Sequence, residues 1–592
     1  MLTLGAASRL LAAKEETWLR VATDEFTVIT SLKEKEAAAW AGEFAQYVAA
    51  LRNYFSASRH RLAPLTVVVF ARERDFENYR PLGANGKPQP VAGFFLRHES
   101  WAVAGLAGAD NSDAMRRTIF HEGVHWFLSG GEQANPVWLE EGLAEVFSTF
   151  TIAKKTAEWG RAIPEHVGLL RQREPLPLER LLFTGHGDLF GDDSDRTSLV
   201  YAESWALVHF LIFGQHGMPK TVLRDLTDAR SRGENPDERF RRAFGKTYAE
   251  MDRLLARYMG NGTYFVRSQP LAEVAAPTIG PASRADVQDA LARLALAARR
   301  WPLAAQHARA AAEAAPDDPR GDEVLGLALK ENGDKAGALE AFGRAERKGT
   351  KNFQPLFELA LAAHATESRL AGEVISLEPA EARRAATRYE RAINLHPRFL
   401  ASYQNLAGII GVAEPWRGED RKFLELGAQL YPADAMIQVG LALLSRRAGD
   451  LPGARTALDR VLNSEADGTA AARGFARQLD LAWEQEDIFA EINGLMKGEK
   501  FSEALAALEG HLARGVPAGL RSQLLPMRPQ LKLAVRSQEI QRALNSGEWS
   551  VARRLLTEMI ESDAPLPIKA QSRRSLEQLD RKKLGLEAKT PD

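Results

Sequence analysis

From about residue 285 the chain repeats itself, and a repeat restricts folding more than any composition does. Ala304, Ala308 and Ala311 return 34 residues on as Ala338, Phe342 and Ala345. The same template fits Ala385, Tyr389 and Ala392, with prolines following at Pro316 and Pro397. Leu325-Gly326 and the set Tyr403, Leu406, Ala407 and Ile410 supply the matching first-helix positions, and Leu441, Ala454 and Leu458 fit a divergent unit. Small residues let two helices approach, a bulky one fills the groove, and proline ends the second helix. A unit this short cannot bury a core alone, so neighbours must stack. A longer duplication closes the chain: Phe501, Ala504 and Leu508 match Trp549, Ala552 and Leu556. The expectation is an all-α array over 285–487, capped by helical hairpins over 488–592.

Composition narrows the classes. A chain of 592 residues implies several domains, and 45% hydrophobic with 26% charged residues is ordinary for globular protein. With no cysteine there is no disulfide, thiolate nucleophile or Cys-bound metal, so any ion must be held by His, Asp or Glu. Lys+Arg 77 against Asp+Glu 78 leaves a net charge of −1, without the basic footprint of a nucleic-acid binder. The most apolar runs do not make a membrane helix: Phe399–Ala413 is too short, and Ser198–Phe213 carries Glu203 and His209. The opening segment is apolar but broken by Arg9, and reads as an amphipathic N-terminus. Compartment stays open: cytoplasmic, or periplasmic or secreted if a signal lies upstream.

The first part reads differently. Phe26–Thr30 and Leu65–Phe70 are β-branched and strand-like, and Lys33–Phe55 has helical spacing with Trp40, Phe44, Tyr47, Val48 and Leu51 on one side. Val91–Leu96 and Trp101–Leu106 form an expected hairpin, with His98 and Glu99 at a solvent-exposed turn. From Asp113 the pattern turns helical and is expected to stay so. Strands first and helices afterwards predict an α+β domain with a small sheet over 1–267. Pro270, Pro277 and Pro281 mark 268–284 as a linker.

The chemistry sits in His121-Glu122-Gly123-Val124-His125. On a helix, residues four apart share a face, so both imidazoles can meet one ion. Phe120, Val124 and Phe127 give that helix a separate buried face. Two histidines leave a catalytic zinc one protein ligand short. Downstream comes Trp138-Leu139-Glu140-Glu141-Gly142, with Glu145 four residues after Glu141.

These residues resemble the gluzincin superfamily of metallopeptidases, which carry HExxH on one helix and a ligand Glu on the next, often within W-L-x-E-G. The separation is shorter than in the thermolysin-like and aminopeptidase-N-like branches, which brings the chain nearer to small peptidase-MA-like families. The resemblance implies one Zn²⁺ ion held by His121, His125 and Glu141, with Glu140 the rival ligand. It implies Glu122 as general base. Glu145 is placed to accept the second ring hydrogen of a ligand histidine. Related enzymes use a Tyr or His from a later helix to stabilise the oxyanion, and here Tyr201 is favoured, with His209 the alternative electrophile. The 34-residue units, in turn, resemble the tetratricopeptide repeat.

The loop Gly185–Thr197 contains Asp188, Asp192, Asp193 and Asp195 without EF-hand order, and reads as a solvated lid. The whole is expected to be a zinc peptidase acting on peptide or protein substrates, leaning to endopeptidase, with repeats that dock a protein partner. The alternative is a repeat scaffold with a vestigial or structural metal site. A hydrolase of other substrates is a third reading.

Overall fold

The computed structural model describes residues 17–55, 62–83, 86–89, 91, 93–107, 113–128, 136–185, 194–214, 236–365, 377–411, 413–415, 417–464 and 470–583. They form two compact units, one ending at Pro415 and the other beginning at Trp416.

The first unit opens with β1 (Leu19–Ala22), β2 (Phe26–Thr30), α1 (Glu34–Phe55), β3 (Leu65–Phe70) and the short α2 (Glu73–Phe76). Next come β4 (Gly93–Arg97), β5 (Ala102–Ala107), α3 (Asp113–Leu128) and α4 (Val137–Ser148). Then follow β6 (Thr151–Ala153), β7 (Thr156–Trp159), α5 (Pro164–Gln172), α6 (Leu178–Leu182), α7 (Ser194–Phe213), α8 (Pro236–Phe244) and α9 (Tyr248–Gly260). The stretch closes with β8 (Arg267–Pro270), β9 (Thr278–Pro281) and α10 (Arg284–Ala297).

The main sheet has the order β4-β5-β3-β2-β1-β9. β2, β3 and β5 are parallel, while β4, β1 and β9 run antiparallel to their neighbours. β3 shows why a continuous apolar run is needed here. A strand covered on both faces has no polar side. Val67 and Val69 enter a core with α1, α3 and α4, whereas Val68 and Phe70 enter a second core with α10 and the first repeat helices.

That second core corrects the expected linker. Residues 268–284 are not a contact-poor connection: β8 pairs with β7, and β9 pairs with β1 from Leu19↔Pro281 to Ala22↔Thr278. The prolines fall at strand ends and an outer strand, where no ladder donor is required. β6 to β9 also correct the expectation that everything after Asp113 is helical.

Helix pairs follow. Trp301–Ala314, Arg320–Glu331, Lys335–Arg347, Phe353–Ala365, Pro379–Leu395 and Leu400–Ile410 continue the first unit. The template residues Ala338, Phe342, Ala345, Ala385, Tyr389 and Ala392 are all buried. At Gly326 an added Cβ would lie 2.3 Å from the Phe342 ring, so one helix lies directly on the other's aromatic side chain. The second unit is all-α, from Asp420–Leu430 to Leu566–Lys583. In its duplicated hairpins Ala504, Leu508, Ala552 and Leu556 are buried, but Trp549 is exposed where its counterpart Phe501 is partly covered. Within each unit the repeats are therefore all-α helical pairs. Among the described residues no helix is long and apolar enough to cross a membrane.

Candidate metal centre

α3 is seated by its apolar face. Phe120, Val124 and Phe127 are buried against α1, where the Tyr47 hydroxyl donates to the Phe120 carbonyl. Gly123 makes room for the Tyr47 ring, which a Cβ there would meet at 2.8 Å. A neighbouring face presents His121 and His125. α4 lies against α3 and is buried along most of its length, Glu141 included.

The structure brings His121, His125 and Glu141 together. The two Nε2 atoms are 3.3 Å apart, and each lies 3.4 Å from Glu141 Oε2. That oxygen is buried and has no hydrogen-bond partner. Three donors at zinc bond lengths of about 2.0–2.1 Å in tetrahedral geometry stand about 3.3–3.4 Å from one another. The residues present thus fit a zinc ion in both donor type and spacing. Burial would raise the Glu141 carboxyl, but the two imidazoles outweigh it and hold it at about 2. Burial would lower His121, yet Glu141 and Glu145 lift it to about 10. Each shift reflects a charge cluster that a divalent cation would complete.

Glu145 stands behind His121, with Oε1 3.3 Å from its Nδ1. The other oxygen is 3.1 Å from His166 Nε2 of α5. Sequence reasoning missed His166. Its only local signal is a Pro-Glu-His helix start, and no spacing links it to HExxH. Glu122, adjacent on α3, has its carboxyl raised by burial. Glu140 is half-buried and outside the donor cluster.

Tyr201 of α7 is beside the centre, its ring 6.1 Å from that of His121. Burial first, and then the charges of Glu141, Glu122 and Glu145, push its hydroxyl well above the usual range, so it stays a donor. His209 is elsewhere. It is fully buried, its Nε2 2.7 Å from the Gly160 carbonyl and its Nδ1 2.7 Å from the Tyr258 hydroxyl. The carbonyl can only accept, so Nε2 carries the hydrogen and Nδ1 accepts from Tyr258. With both nitrogens committed, His209 cannot serve as the electrophile. His98 is corrected too: it stacks on Trp101 at 4.9 Å, and burial, with Arg293 and Lys330, pushes it down to about 4. Residues 186–193 of the acidic loop lie outside the described residues, whereas its end, Asp195 included, is the first turn of α7 and not part of a lid.

No protein-family model matches the chain, and no curated protein matches it. Solved structures do align with it. The TPR domain of P58(IPK) is 11% identical, covering 50% of this chain and 99% of that one, at a TM-score of 0.16. Yeast Tom70 is 14% identical, covering 80% and 88%, at 0.19. A human IFIT1 dimer with PPP-AAAA is 12% identical, covering 70% and 94%, at 0.18. Likeness at this level decides no activity, and the helical-repeat architecture stands on the chain's own paired helices.

Proposed function

We propose that this chain is a zinc-dependent peptidase of gluzincin type, joined to tetratricopeptide-like repeats that bind a protein partner. The observation that carries the reading is the donor triangle of His121, His125 and Glu141 around an orphaned carboxylate oxygen. A zinc ion held there supplies Lewis acidity and acidifies water. Glu122 takes the proton from the attacking water and passes it to the leaving amine. The Tyr201 hydroxyl donates to the oxyanion formed at the scissile carbonyl. Among the described residues β4 is an edge strand, and its outer side would offer main-chain hydrogen bonds to an extended substrate.

A second reading, an interaction scaffold with a structural metal site, is favoured by the second unit. There a cavity of about 540 Å³ is lined by side chains of both charges, among them Arg446, Arg455, Glu484 and His511. Arg446 lies 5.5 Å over the Trp483 ring. One comparison separates the readings: bound zinc and hydrolysis of a mixed peptide library, in wild type and Glu122→Gln. Zinc in both proteins with cleavage only in wild type supports the peptidase. Zinc without cleavage in either leaves the scaffold.

A further inference from the structure

Glu145 is a carboxylate between two imidazoles. Oε1 faces His121 Nδ1 at 3.3 Å and Oε2 faces His166 Nε2 at 3.1 Å. All three side chains are largely covered, at 12–15% exposure, so water does not compete freely for these positions. His166 is itself held in place. Pro164 starts α5, and the next residue, Glu165, pairs with Arg117 of α3 at 3.2 Å. This exposed pair brings the start of the helix bearing His166 next to the helix bearing His121 and His125, and adds little to its hold. On another side the Trp205 ring lies 6.0 Å from the His166 ring.

We propose that His166 is a positioning residue for the metal centre, acting through Glu145. A carboxylate held by one oxygen can still rotate about its last bond, which has broad, weakly separated wells. His166 Nε2, 3.1 Å from the other oxygen though not aligned as a hydrogen bond, restricts that freedom by charge and contact. Oε1 is then fixed toward His121 Nδ1, the Nδ1–H tautomer is favoured, and the Nε2 lone pair points at the donor triangle. The inference rests on the metal reading above and adds to it a residue from a third helix. His166 touches neither ion nor substrate in this role. Its contribution is pre-organisation, so it belongs in metal affinity before it belongs in turnover.

The test is zinc affinity by chelator competition, with the visible spectrum of the cobalt form, on the full chain. His166→Phe should weaken zinc about 10- to 100-fold, as loss of an outer partner does. His166→Gln, which keeps an N–H donor, should recover most of that loss. Because His166 acts through Glu145, the Glu145→Ala/His166→Phe double variant should be no weaker than Glu145→Ala alone. Melting curves accompany each variant. Should His166→Phe fail to fold, His166→Ala takes its place in the same cycle. If wild type holds zinc, Glu145→Ala loses affinity and the His166 variant does not, the positioning role is overturned while the metal reading survives. Additive losses in the double variant overturn it as well. If wild type binds no zinc, the metal reading itself has failed.

Discussion

Gly142 of α4 faces Ser204 of α7 so closely that a Cβ on the glycine would stand 2.4 Å from the Ser204 carbonyl oxygen. The neighbour on one side of Gly142 is the donor Glu141, and Tyr201 lies one turn before Ser204. The glycine therefore sets how near Glu141 comes to the helix carrying Tyr201. Gly142→Ala should push the helices apart, costing about 1–3 kcal/mol as overpacking does. Thermal melts and zinc titration should show both stability and affinity falling. A variant as stable and as zinc-loaded as wild type would mean the contact relaxes without consequence.

Metal loss should follow the donor geometry. Glu141→Gln or His121→Ala removes one of three protein ligands and should cut zinc binding severely, measured by metal analysis after dialysis. Glu145→Ala should be milder, about 10- to 100-fold. If Glu145→Ala behaves as a ligand variant and Glu141→Gln does not, the two roles are exchanged.

Tyr201 and His209 should separate cleanly. Tyr201→Phe deletes one hydroxyl and keeps the ring, so zinc content and Tm should hold while kcat falls about 100- to 1,000-fold with little change in KM. His209→Ala leaves the Gly160 carbonyl and the Tyr258 hydroxyl without their buried partner. Each such orphan costs about 1–3 kcal/mol, so this variant should lose stability rather than a specific catalytic step. A folded, zinc-loaded, inactive His209→Ala would reverse the assignment.

Glu203 gives the pH prediction. It is buried in α7, and desolvation, with Asp252 adding to it, raises its carboxyl to about 8 although the Leu176 N–H donates to it. The unfolded value is near 4.5. Between these values the native state holds a proton that the unfolded chain has released. Its contribution to stability is therefore complete below about pH 4.5, falls as pH rises toward 8, and is flat beyond. Glu203→Gln keeps the carbonyl acceptor and cannot ionise. Urea midpoints at pH 5 and pH 8.5 should differ less in this variant, which should be the more stable protein at pH 8.5. An unchanged difference would place the pH sensitivity in another group.

Truncation tests the corrected boundary. A chain ending near Ser268 lacks β9 and the helices covering Val68, Phe70 and Val103, so it should aggregate or fail to melt cooperatively. A chain ending at Pro415 keeps the first unit whole and should melt as a folded protein. Cooperative melting of the shorter fragment would restore the linker.

How far the sequence was legible depends on the range of the interaction. His121, His125 and the Phe120–Val124–Phe127 face follow from one helix's period, and the repeat alanines from a fixed interval, so both could be read locally. β9 could not. Thr278–Pro281 has little strand character, and only its distant partner β1 makes it one. His166 and His209 show the same limit. Nothing near either in the chain reveals that one reaches Glu145 while the other is spent on Gly160 and Tyr258. The nearness of Tyr201 to His121 was likewise not in any local pattern; it was expected only from the resemblance to a family.

The pairing of β1 with β9 also fixes an order of events during synthesis. Leu19 leaves the ribosome early, but its partner Pro281 follows only after His121, His125 and Glu141 have all been made. Until then β1 has an open outer edge, a site where a nascent chain can pair wrongly. The first domain therefore has to wait for β9 to close the sheet and for the first repeat helices, arriving next, to cover its bare face. Slowing translation once residue 281 has emerged from the ribosome would favour correct pairing, whereas a stall before that would leave the edge exposed.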